Sequence, residues 1–75
     1  MRWGIEQRLE FIEFRLFWEG SINRSDIIDY FSVSVPQASK DLTHYQERAP
    51  GNMTYDNRRK CYVAANDFVL RFLNP

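Results

Sequence analysis

Little in these 75 residues advertises chemistry. There is one cysteine, Cys61, so neither an intramolecular disulfide nor a cysteine-rich zinc site can form, a usage that suits a reducing compartment. There is one histidine, His44, and with no thiolates or second imidazole beside it a metal site is not expected, nor any cofactor. Ten basic residues cancel ten acidic ones, so no global field draws the chain to a polyanion, and any such attraction has to come from local clustering. No apolar run approaches the roughly 20 residues of a membrane span, and no basic region, apolar stretch and small-residue cleavage site open the chain. A cytoplasmic protein without a membrane partner is the expectation. Repeats and low-complexity segments are absent too, which excludes a solenoid. The length itself disfavours an enzyme with a roomy cleft and favours a binding module.

What the chain does have is aromatic weight, 16% of its residues, and three well-signalled helices. Between Gly4 and Gly20 nothing breaks a helix, which predicts one from about Ile5 to Trp18. Ile5, Leu9, Ile12 and Leu16 make a core stripe at helical spacing, while Trp3, Phe11, Phe14 and Trp18 lie roughly opposite and Phe17 sits to one flank. One small domain has no second layer for both faces, so the aromatic one should meet a second chain or the apolar tail. Acidic residues crowd onto this helix, at Glu6, Glu10, Glu13 and Glu19.

A short extended piece at Ser21 and Ile22, with Ile22 inward, is positioned to pair with a later hairpin. Asn23 and Asp26 then have the spacing of a helix cap, and Ile27, Ile28 and Phe31 supply the buried face of a second helix. After the three residues Ser32, Val33 and Ser34, a third helix starts at once. Ser34 caps it, Gln37 stands at the reciprocal capping-box position, and Pro36 fits the first turn. Val35, Ala38, Leu42, Tyr45 and Ala49 fall on its inner side; Gln37, Lys40, Thr43 and His44 gather on the outer. Two short helices joined this tightly form a helix-turn-helix. The breakers Ala49 to Asn52 end the third helix, and MTYD and KCYV about a polar turn make a hairpin with Met53, Tyr55, Cys61 and Val63 on its inner face and a basic tip.

The resulting fold class is mainly α with a small β-hairpin, a winged helix-turn-helix over residues 1–66, followed by an apolar linker or docking segment at 67–75. In that architecture the third helix enters the major groove of DNA and the hairpin is the wing. Arg24, Lys40, Arg58, Arg59 and Lys60 then all face phosphate. Gln37 is placed to read the N6 and N7 edge of adenine, and Ser34, Ser39, Thr43 and His44 to touch backbone or base edges. The plainer alternatives are that Gln37 only completes the cap and that Lys40 is a solvated charge. Nothing marks a catalytic site. Ser32, Ser34 and Ser39 have only His44 as a base and are explained by turns and caps; Asp29, Asp41 and Glu47 read as solvated helix charges.

The run FIEFRLFWEGSINRSDIIDYFSVSVPQASKDLTHYQERAPGNMTYDNRRKCYVA, residues 11 to 64, resembles the N-terminal winged helix-turn-helix of the WYL-domain transcriptional regulators, particularly the BrxR and CapW type of bacterial phage-defence loci. FWEGSINRSD, SVPQASKDL and APGNMTYD with KCY are its specific pieces, in matching order. The resemblance implies a homodimeric repressor on an inverted-repeat operator, with Gln37, Ala38, Ser39 and Lys40 facing bases and Arg24 on the backbone. It also implies a ligand-sensing WYL domain and a dimerising extension after this segment, so any effector binds outside these residues. A second reading, motivated by zero net charge and the aromatic face of the first helix, is a winged helix that binds protein.

Overall fold

The computed structural model describes residues 3–73, the side chain of Trp3 excepted, so its assignment to an aromatic contact lies outside the described residues. Helix α1 spans Trp3–Glu19, strand β1 Ser21–Ile22, α2 Arg24–Phe31, α3 Val35–Arg48, β2 Met53–Asp56 and β3 Cys61–Ala64. Helix α1 stops where Gly20 takes a left-handed φ of 79°, its N–H reaching the carbonyls of Arg15 (3.2 Å) and Leu16 (3.1 Å). At Asn23 both halves of the capping box form: the Asp26 N–H donates to Asn23 Oδ1 at 3.2 Å and the Asn23 N–H to Asp26 Oδ2 at 3.0 Å. Arg15 of α1 pairs with the same Asp26 at 3.3 Å and ties the start of α2 to the first helix.

The aliphatic stripe of α1 is the centre of the core. Leu9, Ile12 and Leu16 pack with Ile22, Ile27, Ala38, Leu42, Tyr45, Ala49 and Met53, all buried. Each fully buried Leu or Ile stabilises the fold by roughly 1.5–3 kcal/mol. The three strands form an antiparallel sheet in the order β1-β3-β2, with Ile22 opposite Tyr62, Tyr55 opposite Tyr62 and Met53 opposite Ala64. Opposed residues share a face. Tyr62 and Ala64 therefore pack toward the core with Ile22 and Met53. That corrects the expectation of Cys61 and Val63 on the inner face: Cys61 is buried but stands outside the core cluster. Both alternating sets of β3 carry apolar residues, and the pairing with β1 selects between them.

Two carboxylates are fully buried, Glu13 and Asp41, which corrects the reading of Asp41 as a solvated helix charge. Glu13 accepts the Tyr45 hydroxyl at 2.9 Å and the backbone N–H groups of Arg71 (2.9 Å), Phe72 (2.8 Å) and Leu73 (2.8 Å). Asn52 clasps the same tail one step earlier, donating to the Val69 carbonyl at 2.7 Å and accepting the Val69 N–H at 3.1 Å, while a second donation reaches the Tyr45 hydroxyl at 3.0 Å. Burial holds the Tyr45 phenol protonated well above the ordinary range; the Asn52 bond opposes this and the Glu13 carboxylate adds to it. Tyr45 is thus the donor to Glu13.

The docked tail brings Phe72 against Tyr45 and Phe68 toward Phe17, with ring centroids 5.6 Å and 6.4 Å apart. It does not cover the aromatic side of α1, where Phe14, Phe17 and Trp18 stay 48%, 50% and 65% exposed. Phe11, expected on that same open side, is covered from within the chain. Tyr30 stacks on it at 4.6 Å and Phe31 meets it edge-on at 5.3 Å. Val35, the first residue of α3, also departs from expectation: it is half exposed.

Candidate nucleic-acid interface

Between the start of α2, the middle of α3 and the hairpin lies a concavity of about 520 Å³. Arg24 comes to it from α2, Ser39 and Thr43 from α3, and Tyr55, Lys60 and Tyr62 from the hairpin. The tight join between the two helices sets the first part of this arrangement. Ser32 closes α2 in a left-handed conformation (φ 57°), its N–H on the Ile28 carbonyl at 2.8 Å, and Ser34 Oγ accepts the Gln37 N–H at 3.2 Å to open α3. The guanidinium of Arg24 then reaches across to donate to Ser39 Oγ at 3.3 Å.

The hairpin tip is folded by its own aspartate. Asp56 Oδ1 accepts the N–H groups of Arg58 (2.9 Å) and Arg59 (3.1 Å), and its carbonyl accepts that of Lys60 at 2.7 Å, with Lys60 left-handed at φ 60°. The aspartate turns its acceptors to the backbone, so the side chains of Arg58, Arg59 and Lys60 are all exposed. Lys60 lines the concavity, and the two arginines stand beyond its rim. Tyr62 braces Tyr55 edge-on, centroids 5.0 Å apart, which leaves Tyr55 half exposed beside the lysine.

Of the residues expected on the outer side of α3, Lys40 and Thr43 are exposed. Gln37 is half-buried and does not reach back to the cap; its Nε2 donates to Asp41 Oδ1 at 3.0 Å, so only the serine half of the capping box forms. Asp41 in turn meets Arg8 Nε of α1 at 2.6 Å, an ion pair whose N–H does not point along that line. His44 is half-buried too, its Nδ1 out of solvent and unpartnered among the described residues. Arg24, Ser39, Thr43 and Lys60 are therefore brought together, Lys40, Arg58 and Arg59 flank them in solvent, Gln37 and His44 are half-buried, and Ser34 is exposed with its hydroxyl committed to the cap of α3.

The arrangement has the chemistry to suit an extended anion. Cations come from three separate segments, hydroxyls lie between them, and an aromatic ring stands at one edge. Among the described residues no group of three or more His, Cys, Asp or Glu could hold a metal ion. Tyr55 is an addition that the structure makes to the site, although an aromatic interleaved with a basic turn is visible in TYDNRRKCY. Asp41 is another, and its spacing of four from Gln37 is the standard helical contact distance.

A family model described as the BrxR transcriptional regulator winged helix-turn-helix domain matches residues 4–75. The chain belongs to this family. Three helices with a small antiparallel three-stranded sheet are consistent with a winged helix domain, and the family is one of transcriptional regulators. Curated relatives carry the description DNA-binding transcriptional repressor CapW. The one from Pseudomonas aeruginosa is 54% identical over 71 residues, covering 95% of this chain and 24% of its own. That from Escherichia coli strain KTE188 is 56% identical over 67 residues, 89% of this chain and 22% of its own. That from Stenotrophomonas maltophilia is 48% identical over 68 residues, 91% and 23%. This BrxR-type domain spans about a quarter of the length of the curated relatives it matches. No helix among its described residues is long and apolar enough to cross a membrane.

Proposed function

We propose that this domain binds double-stranded DNA sequence-specifically, with α3 in the major groove and the β2–β3 turn on the neighbouring backbone, and that it does so as the reading head of a dimeric cytoplasmic repressor. The observation that carries this is the concavity into which Arg24, Ser39, Thr43 and Lys60 converge, flanked in solvent by Lys40, Arg58 and Arg59. Cations gathered from α2, α3 and the wing match a phosphate backbone followed along its length, and they offset the chain's zero net charge by placement. The CapW relatives' description as DNA-binding transcriptional repressors supports the same reading. Gln37 is the base reader, toward adenine. The operator is an inverted repeat controlling a bacterial phage-defence locus, and a ligand-sensing WYL domain belongs to the rest of the regulator.

Dimerisation uses the exposed side of α1. Phe14, Phe17 and Trp18 remain open after the tail has docked, and a second copy seated there sets two recognition helices on successive major-groove faces, roughly 34 Å apart. The same exposure favours the second reading, a winged helix that binds a different protein through these rings.

Titration of a labelled inverted-repeat duplex over a range of salt tests the proposal. Each phosphate contact contributes about 0.9 to the log–log salt slope, so Arg58→Ala is expected to lower it by about that amount and weaken all duplexes alike. An unaltered slope and affinity in Arg58→Ala and Arg24→Ala together refute the placement. Tight complexes with protein alone, lost in Phe14→Glu, would favour the second reading.

A further inference from the structure

The side chain of Gln37 is held by a carboxylate that is itself held. Asp41 has no exposed surface, its Oδ2 lies 2.6 Å from Arg8 Nε, and its Oδ1 accepts from Gln37 Nε2 at 3.0 Å. With the Arg8 guanidinium against Oδ2, Oδ1 is the acceptor left for Gln37, so the amide of Gln37 turns its NH₂ end inward. A free glutamine presents its oxygen and nitrogen in either order; this one has a single order. One N–H goes to Asp41, which leaves the other N–H and Oε1 without a partner among the described residues. That pair, one donor and one acceptor, is the complement of adenine's N7 and N6–H in the major groove.

We propose that Asp41, anchored by Arg8, is a positioning residue for base recognition: it fixes the orientation of the Gln37 amide and thereby the preference for adenine at one position of each half-site. This rests on the proposed function, and it assigns specificity to two residues that touch no DNA. Arg8 lies on α1, so the first helix helps set the base that the third one reads. The concavity lined by Arg24 and Lys60 has no part in it, since its cations act on phosphate.

The test uses the whole chain and a duplex selected by the wild-type protein from a randomised inverted repeat, then substituted base by base. In the wild type, exchange of the adenine that Gln37→Ala identifies is expected to weaken binding roughly 5- to 150-fold, the range of one bidentate contact. Removing Asp41 alone leaves the Arg8 charge stranded, so the informative variant is Arg8→Met with Asp41→Leu, which replaces the ion pair by apolar groups of similar bulk. It should bind with the wild-type salt slope yet distinguish the four bases at that position by less than about threefold. Full wild-type discrimination in the double variant overturns the proposal, as does discrimination untouched by Gln37→Ala. Without variants, the Gln37 side-chain amide protons should exchange at least roughly tenfold slower than those of exposed Gln7 and Gln46; equal rates overturn it as well. Wild-type protein with no salt-dependent duplex binding would bring down the proposed function itself, a different outcome from loss of adenine preference.

Discussion

Removing the carboxylate of Glu13 is the most severe single change the structure offers outside the aliphatic core. In Glu13→Ala, the Tyr45 hydroxyl and the N–H groups of Arg71, Phe72 and Leu73 all lose their acceptor at once. Were the tail to stay docked, four stranded donors at about 1–3 kcal/mol each would consume most of a small domain's stability of roughly 5–15 kcal/mol. The tail has a less costly course, which is to lift away and let water satisfy its backbone, with loss of the half-buried Phe72 and Leu73 contacts and of the Asn52 clasp. The expected loss is therefore about 2–4 kcal/mol, or a fall in Tm of roughly 10–25 °C for a chain this size. Urea and thermal unfolding followed by circular dichroism measure the first part. Trypsin measures the second, because a released tail exposes the bond after Arg71 and cleavage there should precede global unfolding. Glu13→Gln keeps one acceptor oxygen but turns an NH₂ toward donors, so it should fall between the two. A Glu13→Ala protein within about 0.5 kcal/mol of wild type, cut after Arg71 at an unchanged rate, would show that the buried carboxylate does not hold the tail.

Three further outcomes follow from the same geometry. The folded chain retains the Tyr45 proton that the unfolded chain releases near its ordinary value of 10.0, so stability is full below about pH 10 and declines above it, by at most about 1.4 kcal/mol per pH unit; Tyr45→Phe should flatten that alkaline limb in denaturation curves, and an equally steep limb in the variant would contradict the assignment. Lys60 occupies a left-handed conformation that costs an L-residue about 1–2 kcal/mol, so Lys60→Gly should raise or preserve thermal stability while lowering the salt slope of duplex binding by about 0.9. Phe14→Glu, at a half-exposed position, should leave the unfolding midpoint within about 0.5 kcal/mol of wild type yet shift sedimentation from dimer to monomer; a monomeric wild type removes the ground for that contact.

How much of this is legible in the sequence depends on how far apart the partners of each residue lie. Caps are local: Asn23 with Asp26, and Ser34 with the Gln37 N–H, are three residues apart and can be read directly. The stripe Leu9, Ile12, Leu16 is a periodic property of one helix and is equally plain, as is Ile22 turned inward on a two-residue strand. Glu13 and Asp41 look like solvent charges in the sequence because the groups that make their burial tolerable come from elsewhere, the tail N–H groups 58 to 60 residues on for one and Arg8 of α1 for the other. Nothing near a glutamate in the sequence announces that a distant backbone will converge on it. The Gln37–Asp41 contact is different, since its spacing of four is visible but competes with the capping-box spacing of three for the same amide. Strand β3 is illegible for a third reason: four residues with apolar groups on both faces leave the alternation undecided until β1 pairs with it.

The two buried carboxylates have one effect in common, which is to fix where α3 sits. Asp41 fastens its front half to α1 through Arg8, and Glu13 fastens its rear half to α1 through the Tyr45 hydroxyl. Apolar packing alone tolerates small slips, because Ala38 and Leu42 present smooth surfaces to a stripe of Leu and Ile; an ion pair and a hydroxyl–carboxylate bond in a low-dielectric interior do not, since a slip would strand a charge. The base contact proposed for Gln37 needs that kind of constraint, and α1 supplies it at both ends while keeping its aromatic side free. The rear fastening carries a second consequence. Tyr45, Asn52 and Glu13 form one network with residues 69 to 73, so the tail and the rear half of α3 share the same hydrogen-bond acceptor, Glu13. The tail is thereby joined to α3 by hydrogen bonds that water can replace, whereas Asp41 holds the front half of the same helix independently of the tail.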